Sequence, residues 1–309
     1  MSDPARRLLD ELDAIAAAHP GIAAHGVAVL DGSAMIALAG FCGTTFAATD
    51  SIAKLVEDLP PPPVLLLTND PYAGGVGLDH VFLLARSASR TVVVALTFRD
   101  FGAMRKDVFR HRAETFHEGL SLSLLPVDWT GPDRDVVLNV IAANVRDGDA
   151  MRAATDRVAR ATLAACNLSH AVAPTSATLP AISGHAGGRA VVANSNDAAI
   201  DVQLEVNERG WRMRVSLDSK NPAEVARCAA SVIRSATMLG VVDALSLPRA
   251  ALLRTLDVED AGVAAVAPEA VGDGTPVAHA CYRAAFDAAR ALGRTSAAPR
   301  DEAAFLARQ

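Results

Sequence analysis

The sequence predicts a mixed α/β (α+β) fold in which buried strands are flanked by helices. Three observations carry that reading: short apolar runs of strand length at 64–67, 81–84 and 91–98, apolar residues at helical spacing near both ends, and Gly-, Asn- and Asp-containing turns between the runs. With 309 residues, 51% of them hydrophobic, the chain can bury a core in one large domain or two small ones.

Ser2 and Asp3 before Pro4 suit a helix start, and Leu8, Leu9, Leu12 and Ile15 recur at helical spacing up to His19 and Pro20. Residues 26–30 and 34–39 flank Asp31-Gly32-Ser33, a hairpin signal with glycine where positive φ is wanted. Thr49 or Asp50 caps a short helix through Leu59, and the prolines at 60–63 stop it and lead stiffly into the strand at 64. Residues 133–145 and 149–171 read as helices, the second with Arg152, Arg157 and Arg160 on one polar side; Asn144-Val145-Arg146 is the terminus between them.

Small residues dominate 174–196, among them Gly184, Gly187 and Gly188, which suggests a Gly/Ala-rich linker. Residues 200–206 and 211–217 then alternate around Asn207-Glu208-Arg209-Gly210 as a second hairpin. A long apolar helix at 222–245 enclosing Cys228, a strand at 252–258 and a core helix at 275–292 ended by Gly293 complete the pattern. The expected organisation is a first part at 1–173, the linker at 174–196, and a smaller α/β part at 197–309 that closes in a flexible, solvated tail.

Composition narrows the function classes. No apolar run reaches the roughly 18 residues of a membrane span, and the N-terminus lacks a basic-then-apolar signal pattern, so a cytoplasmic location is expected. Net charge is −6, with no basic run interleaved with aromatics, which argues against a nucleic-acid face. Cys42, Cys166, Cys228 and Cys281 form no CxxC pair and are expected as buried thiols.

Chemistry is expected in the stretch VLLLTNDPYAGGVGLDHVFLLAR at 64–86, which holds a polar loop between two buried strands. Asn69, Asp70, Tyr72, Gly74 and Gly75 form its first half as a substrate or structural loop, and Asp79 and His80 close it. Asp100 follows the strand at 91–98 and comes near Asp79 and His80 if the strands pair. Carboxylates and an imidazole at strand ends suit a metal or acid/base cluster; the alternative is that Asp79 caps a turn and His80 simply opens a strand. Glu118 beside His117 reads either as a general acid or base or as solvated loop. Gly74-Gly75-Val76-Gly77 reads as a tight turn, because the sequence completes neither GxGxxG nor GxxxxGK[ST]. There is no GxSxG elbow for a serine hydrolase.

The run Asn69-Asp70-Pro71-Tyr72-Ala73-Gly74-Gly75 resembles the signature loop of the hydantoinase B / 5-oxoprolinase family, which includes acetone and acetophenone carboxylase subunits. The resemblance extends to Asp100-Phe101-Gly102, Glu118-Gly119-Leu120 and Asn144-Val145-Arg146, and marks a compact, divergent member with a hydantoinase B-like fold. It implies a subunit that contributes to hydrolysis or carboxylation of an activated amide or enolate. A hydantoinase A-like partner would spend ATP to phosphorylate the substrate oxygen, and the substrate would be a small amide or ketone.

The resemblance also implies a divalent metal. Where the family loop reads GGTHLPD, Gly77 stands at the His position and His80 at the Asp position. Downstream, Asp100 matches the family and its accompanying His is missing. His80 and Asp100 are thus the implied metal ligands, with Asp79, His80, Asp100 and Glu118 as catalytic candidates. The alternative is a non-catalytic structural subunit with a degenerate metal site.

Overall fold

A computed structural model describes residues 4–19, 21–32, 34–40, 64–70, 80–87, 90–98, 120–145, 147–168, 179–193, 195, 197–222, 225, 228–247, 252, 255–264 and 275–299, and the architecture is that of these residues. The chain divides into two compact units, Met1–Thr175 and Ser176–Gln309. The fold is mixed α/β, with one sheet in each unit. The expected short helix at 49–59, together with Cys42, lies outside the described residues, and no described helix is long and apolar enough to cross a membrane.

The first unit opens with α1 (Pro4–Ala18), whose Leu8, Leu9, Leu12 and Ile15 are buried as their spacing predicts. The strands β1 (Ile22–Asp31), β2 (Ala34–Gly40), β3 (Val64–Thr68), β4 (His80–Ser87), β5 (Arg90–Phe98) and β6 (Leu125–Val127) form a six-stranded sheet in the order β2-β1-β5-β4-β3-β6. Every neighbouring pair is antiparallel. The hairpin expected around Gly32 is present as β1 and β2.

Both sheet faces are buried, which is why its strands read as continuous apolar runs rather than as alternating ones. Leu65, Leu67, Val81, Leu83, Val94 and Leu96 share one core with α1, α2 (Asp133–Ala143) and α3 (Gly148–Leu168). The intervening Leu66, Phe82, Leu84, Val93 and Ala95 are equally buried on the other face. Cys166 on α3 is buried, and its thiol donates to the Ala85 carbonyl (3.0 Å).

An ion-pair hub on α3 ties α2 and the segment before it into this unit. Asp156 accepts hydrogen bonds from Trp129 Nε1 (2.9 Å), Arg134 Nε (2.8 Å) and Arg160 Nε (2.9 Å). Arg152, on the same helix, pairs with Asp135 (2.8 Å) and bonds Asn139. Burial raises the Asp156 pKa, but the hydrogen bonds from Arg134, Arg160 and Trp129 and the charge of Arg134 outweigh it and hold the carboxyl at about 2, against an ordinary 3.8.

In the second unit, β7 (Gly184–Val191), β8 (Ala199–Asn207), β9 (Gly210–Asp218) and β10 (Leu256–Ala261) form a four-stranded sheet in the order β10-β9-β8-β7. The pairs are antiparallel except β10 with β9, which is parallel. Ile200, Val202, Leu204 and Val206 point inward along β8, as do Trp211, Met213 and Val215 along β9; this is the alternation the sequence displays. Helices α4 (Ala230–Leu245) and α5 (Thr275–Gly293) pack closely on each other, and α5 also packs on β7 and β8.

Three local expectations are corrected. Residues 184–191, assigned to a linker, form β7. Gly188 in it has no side chain because the α5 backbone lies against the strand there: a Cβ on Gly188 would stand 1.9 Å from the Ala284 carbonyl oxygen and 2.8 Å from Ala288 N. The apolar helix begins at Ala230 rather than 222, since Ala229 has ψ 146° and is extended; Cys228 and Ala229 are buried without being helical. The last strand runs 256–261, in parallel register with 211–216, instead of 252–258. The last helix ends at Gly293 as expected; a Cβ there would stand 2.2 Å from Leu245 Cδ2, and the left-handed residue that follows is Arg294 (φ 51°).

Two outcomes follow. Gly188→Ala forces β7 off α5 and is expected to cost about 2–3 kcal/mol in urea unfolding, the scale of core overpacking. For Asp156 the folded pKa lies below the unfolded one, so its contribution is complete above about pH 4 and is lost as pH falls toward 2. Asp156→Asn is expected to cost about 1–2 kcal/mol at pH 7 and to flatten the acid limb of a stability–pH profile.

Candidate functional site

One end of the six-stranded sheet collects the motif residues. β3 ends there at Thr68, opposite Phe82, and β4 begins there at His80, opposite Thr97. β5 ends there at Phe98, and β6 starts there at Leu125, opposite Leu67. Alternation along β4 puts half-buried His80 on the face shared by Phe82 and Leu84, together with Thr97 of β5.

Where the chain leaves β3, the buried Asn69 bonds a segment more than fifty residues away. Its side-chain Nδ2 donates to the Leu120 carbonyl (2.9 Å), its Oδ1 accepts from Leu122 N–H (2.6 Å), and its own N–H donates to the Leu122 carbonyl (3.1 Å). A buried primary amide needs both donors and acceptors, and an extended backbone strand supplies them at this spacing. Next to it, Asp70 Oδ2 accepts from Ser123 Oγ (2.6 Å), and Asp70 N–H donates to Thr68 Oγ1 (3.3 Å). Residues 120–123 are therefore strapped to the β3 end, immediately after Glu118 and Gly119 in the chain.

The strap ends under strain. Leu124 has φ 42°, a left-handed conformation unusual for a bulky side chain, and it lies between Ser123 and the start of β6. Hydrogen bonds to Asn69 and Asp70 on one side and β3 pairing on the other hold it there.

Of the expected site residues, Asn69, Asp70 and His80 are described, and all three sit at this end of the sheet. Tyr72, Gly74, Gly75, Asp79, Asp100 and Glu118 lie outside the described residues. Among the described residues no three His, Cys, Asp or Glu side chains cluster as an ion site; His80 is the described member of the expected ligand pair. Sequence reasoning missed Thr68, Leu122 and Ser123. The available signal was the proximity of Ser-Leu-Ser at 121–123 to the Glu118-Gly119-Leu120 motif.

No family model matches the sequence, and no curated protein matches it. Solved structures do. The chain superposes on ATP-dependent caprolactamase from Pseudomonas jessenii with a TM-score of 0.67 and 17% identity, covering 94% of this chain and 58% of that one. The chain shares that fold. Nucleotide-free acetone carboxylase, an enzyme of ATP-dependent acetone carboxylation, gives a TM-score of 0.51 and 11% identity, covering 78% of this chain and 39% of that one. The chain thus spans under two thirds of the length of either neighbour.

Removing the amide that holds the strap tests its weight. Asn69→Ala leaves the Leu122 N–H and Leu120 carbonyl without their partner, and is expected to destabilise by about 2–4 kcal/mol. Hydrogen exchange at Leu122 should accelerate more than at the β5 amides.

Proposed function

We propose that the chain is a subunit of an ATP-dependent enzyme complex of the hydantoinase/oxoprolinase or ketone-carboxylase kind, contributing to hydrolysis or carboxylation of an activated amide or enolate. The observation that carries this reading is the fold match over 94% of the chain to an ATP-dependent caprolactamase. The NDPYAGG loop supports it independently, because its Asn69 and Asp70 hold the segment following Glu118-Gly119, a second motif of the same resemblance.

In this reading a hydantoinase A-like subunit binds ATP and activates the substrate oxygen. The sheet end carrying Asn69, Asp70 and His80 faces the activated substrate, and Asp79, Asp100 and Glu118 are the further catalytic candidates. His80 and Asp100 are the proposed ligands of a divalent ion, which would polarise the reacting carbonyl when bound. The fit is partial: imidazole and carboxylate are suitable donors, but two ligands hold an ion only with further donors, so no step is routed through it.

A second reading is favoured by the strap that Asn69 and Asp70 hold. Asn69 gives its amide to backbone and Asp70 accepts from Ser123, so these two motif residues are committed to architecture. Such a subunit shapes the complex without performing the chemistry.

Coexpression with a hydantoinase A-like subunit separates the two. ATP turnover measured against hydantoins, lactams and ketones is expected to depend on one of these classes. His80→Ala and Asp100→Ala are expected to lower turnover at least tenfold and to abolish stoichiometric zinc or manganese uptake; unchanged turnover with no ion bound leaves the architectural reading standing.

A further inference from the structure

A groove of about 320 Å³ runs between β6 and α2, with Leu125 and Pro126 on one wall, Val136 and Val140 on the other, and Asp133 at its end. Of the large hydrophobic side chains exposed among the described residues, three line it: Leu125 (36%), Val136 (62%) and Val140 (38%). Apolar area gathered in one patch is unfavourable in water and marks a surface that something covers.

The chemistry of the walls selects the occupant. β6 is an edge strand, but Pro126 has no N–H to donate, so an added strand is poorly served. The groove is open along one side, so a small molecule would stay half in water, whereas a helix would seat side chains and cover the rim. Val136 and Val140 lie one turn apart on α2, the spacing that accepts the ridge of a second helix.

Charge decides which helix. Asp135 is paired with Arg152, and Asp156 with Arg134 and Arg160, but Asp133 makes no ion pair among the described residues. A second copy of α2 would bring two more carboxylates, Asp133 and Asp135, and a single cation, Arg134, which is already committed to Asp156.

We propose that the β6–α2 groove docks an amphipathic helix of a different protein, with apolar side chains one turn apart between Leu125 and Val136/Val140 and a Lys or Arg set against Asp133. This rests on reading the chain as part of a multi-subunit enzyme, but peptide binding is measured without turnover. Failure at the groove and failure of that reading are therefore distinguishable.

Two synthetic helical peptides share Leu at i, i+3, i+4 and i+7 and differ only in carrying Lys or Glu beside that stripe; binding to the full chain is read by fluorescence anisotropy. The Lys peptide is expected to bind about tenfold more tightly than the Glu peptide. Val136→Gln with Val140→Gln weakens it about tenfold or more, and Asp133→Asn removes the Lys preference. Both valines are exposed, so folding should survive, and circular dichroism checks it. The proposal is overturned if neither peptide binds, if binding ignores the valine substitutions, or if sedimentation shows a dimer that those substitutions dissociate.

Discussion

The first unit depends on a buried primary amide. Asn69 lies where water does not reach, so its donor and acceptor must both be met by protein, and the backbone of 120–122 meets them. Because the amide has a fixed geometry, it sets the position of that segment to within a hydrogen bond's tolerance. Ser123 on Asp70 secures the next residue, and the chain must then turn through Leu124 at positive φ to reach the β6 register. The edge strand, the start of α2 and the groove between them all follow from where that strap is held.

The two units bury their cores by different means. In the first, Val- and Leu-rich strands are covered on both faces, and the buried polar side chains among the described residues are Thr68, Asn69 and Thr91 near strand ends and Thr155 and Thr162 on α3. In the second, helix backbones come unusually close: a Cβ on Gly240 of α4 would stand 2.4 Å from the Tyr282 carbonyl oxygen of α5, and Gly188 plays the same part between β7 and α5. Tyr282 is fully buried there, and its hydroxyl meets Asp243 (3.2 Å). Burial holds the Cys228 and Cys281 thiols protonated, with the nearby Asp260 charge adding to it; Cys228 is pushed up to about 12, so these are packing groups rather than nucleophiles.

Local pattern was a sound guide wherever one element's own residues decide its conformation. The spacing of Leu8, Leu12 and Ile15 and the two hairpins around Gly32 and Gly210 were legible, because helical and strand periodicity and turn chemistry act over a few residues. β7 was not, since GHAGGRAV has the composition of a loop. It is a strand because β8 pairs with it and α5 needs its missing side chains. The start of α4 was hidden for a related reason: buried Cys228 and Ala229 continue the apolar pattern in an extended backbone.

For the site, the sequence alone determined the inventory: a polar NDPYAGG loop between buried strands, with His80 at the mouth of one of them. Tertiary structure decided what those residues are used for. Asn69 finds Leu120 and Leu122, and Asp70 finds Ser123, across separations of 51 to 53 residues. Periodicity cannot encode such pairings; they exist because an antiparallel sheet brings the end of β3 and the approach to β6 side by side. The groove likewise depends on β6 and α2 meeting in space, since neither Leu125 nor Val136 signals by itself that the other will stand across from it.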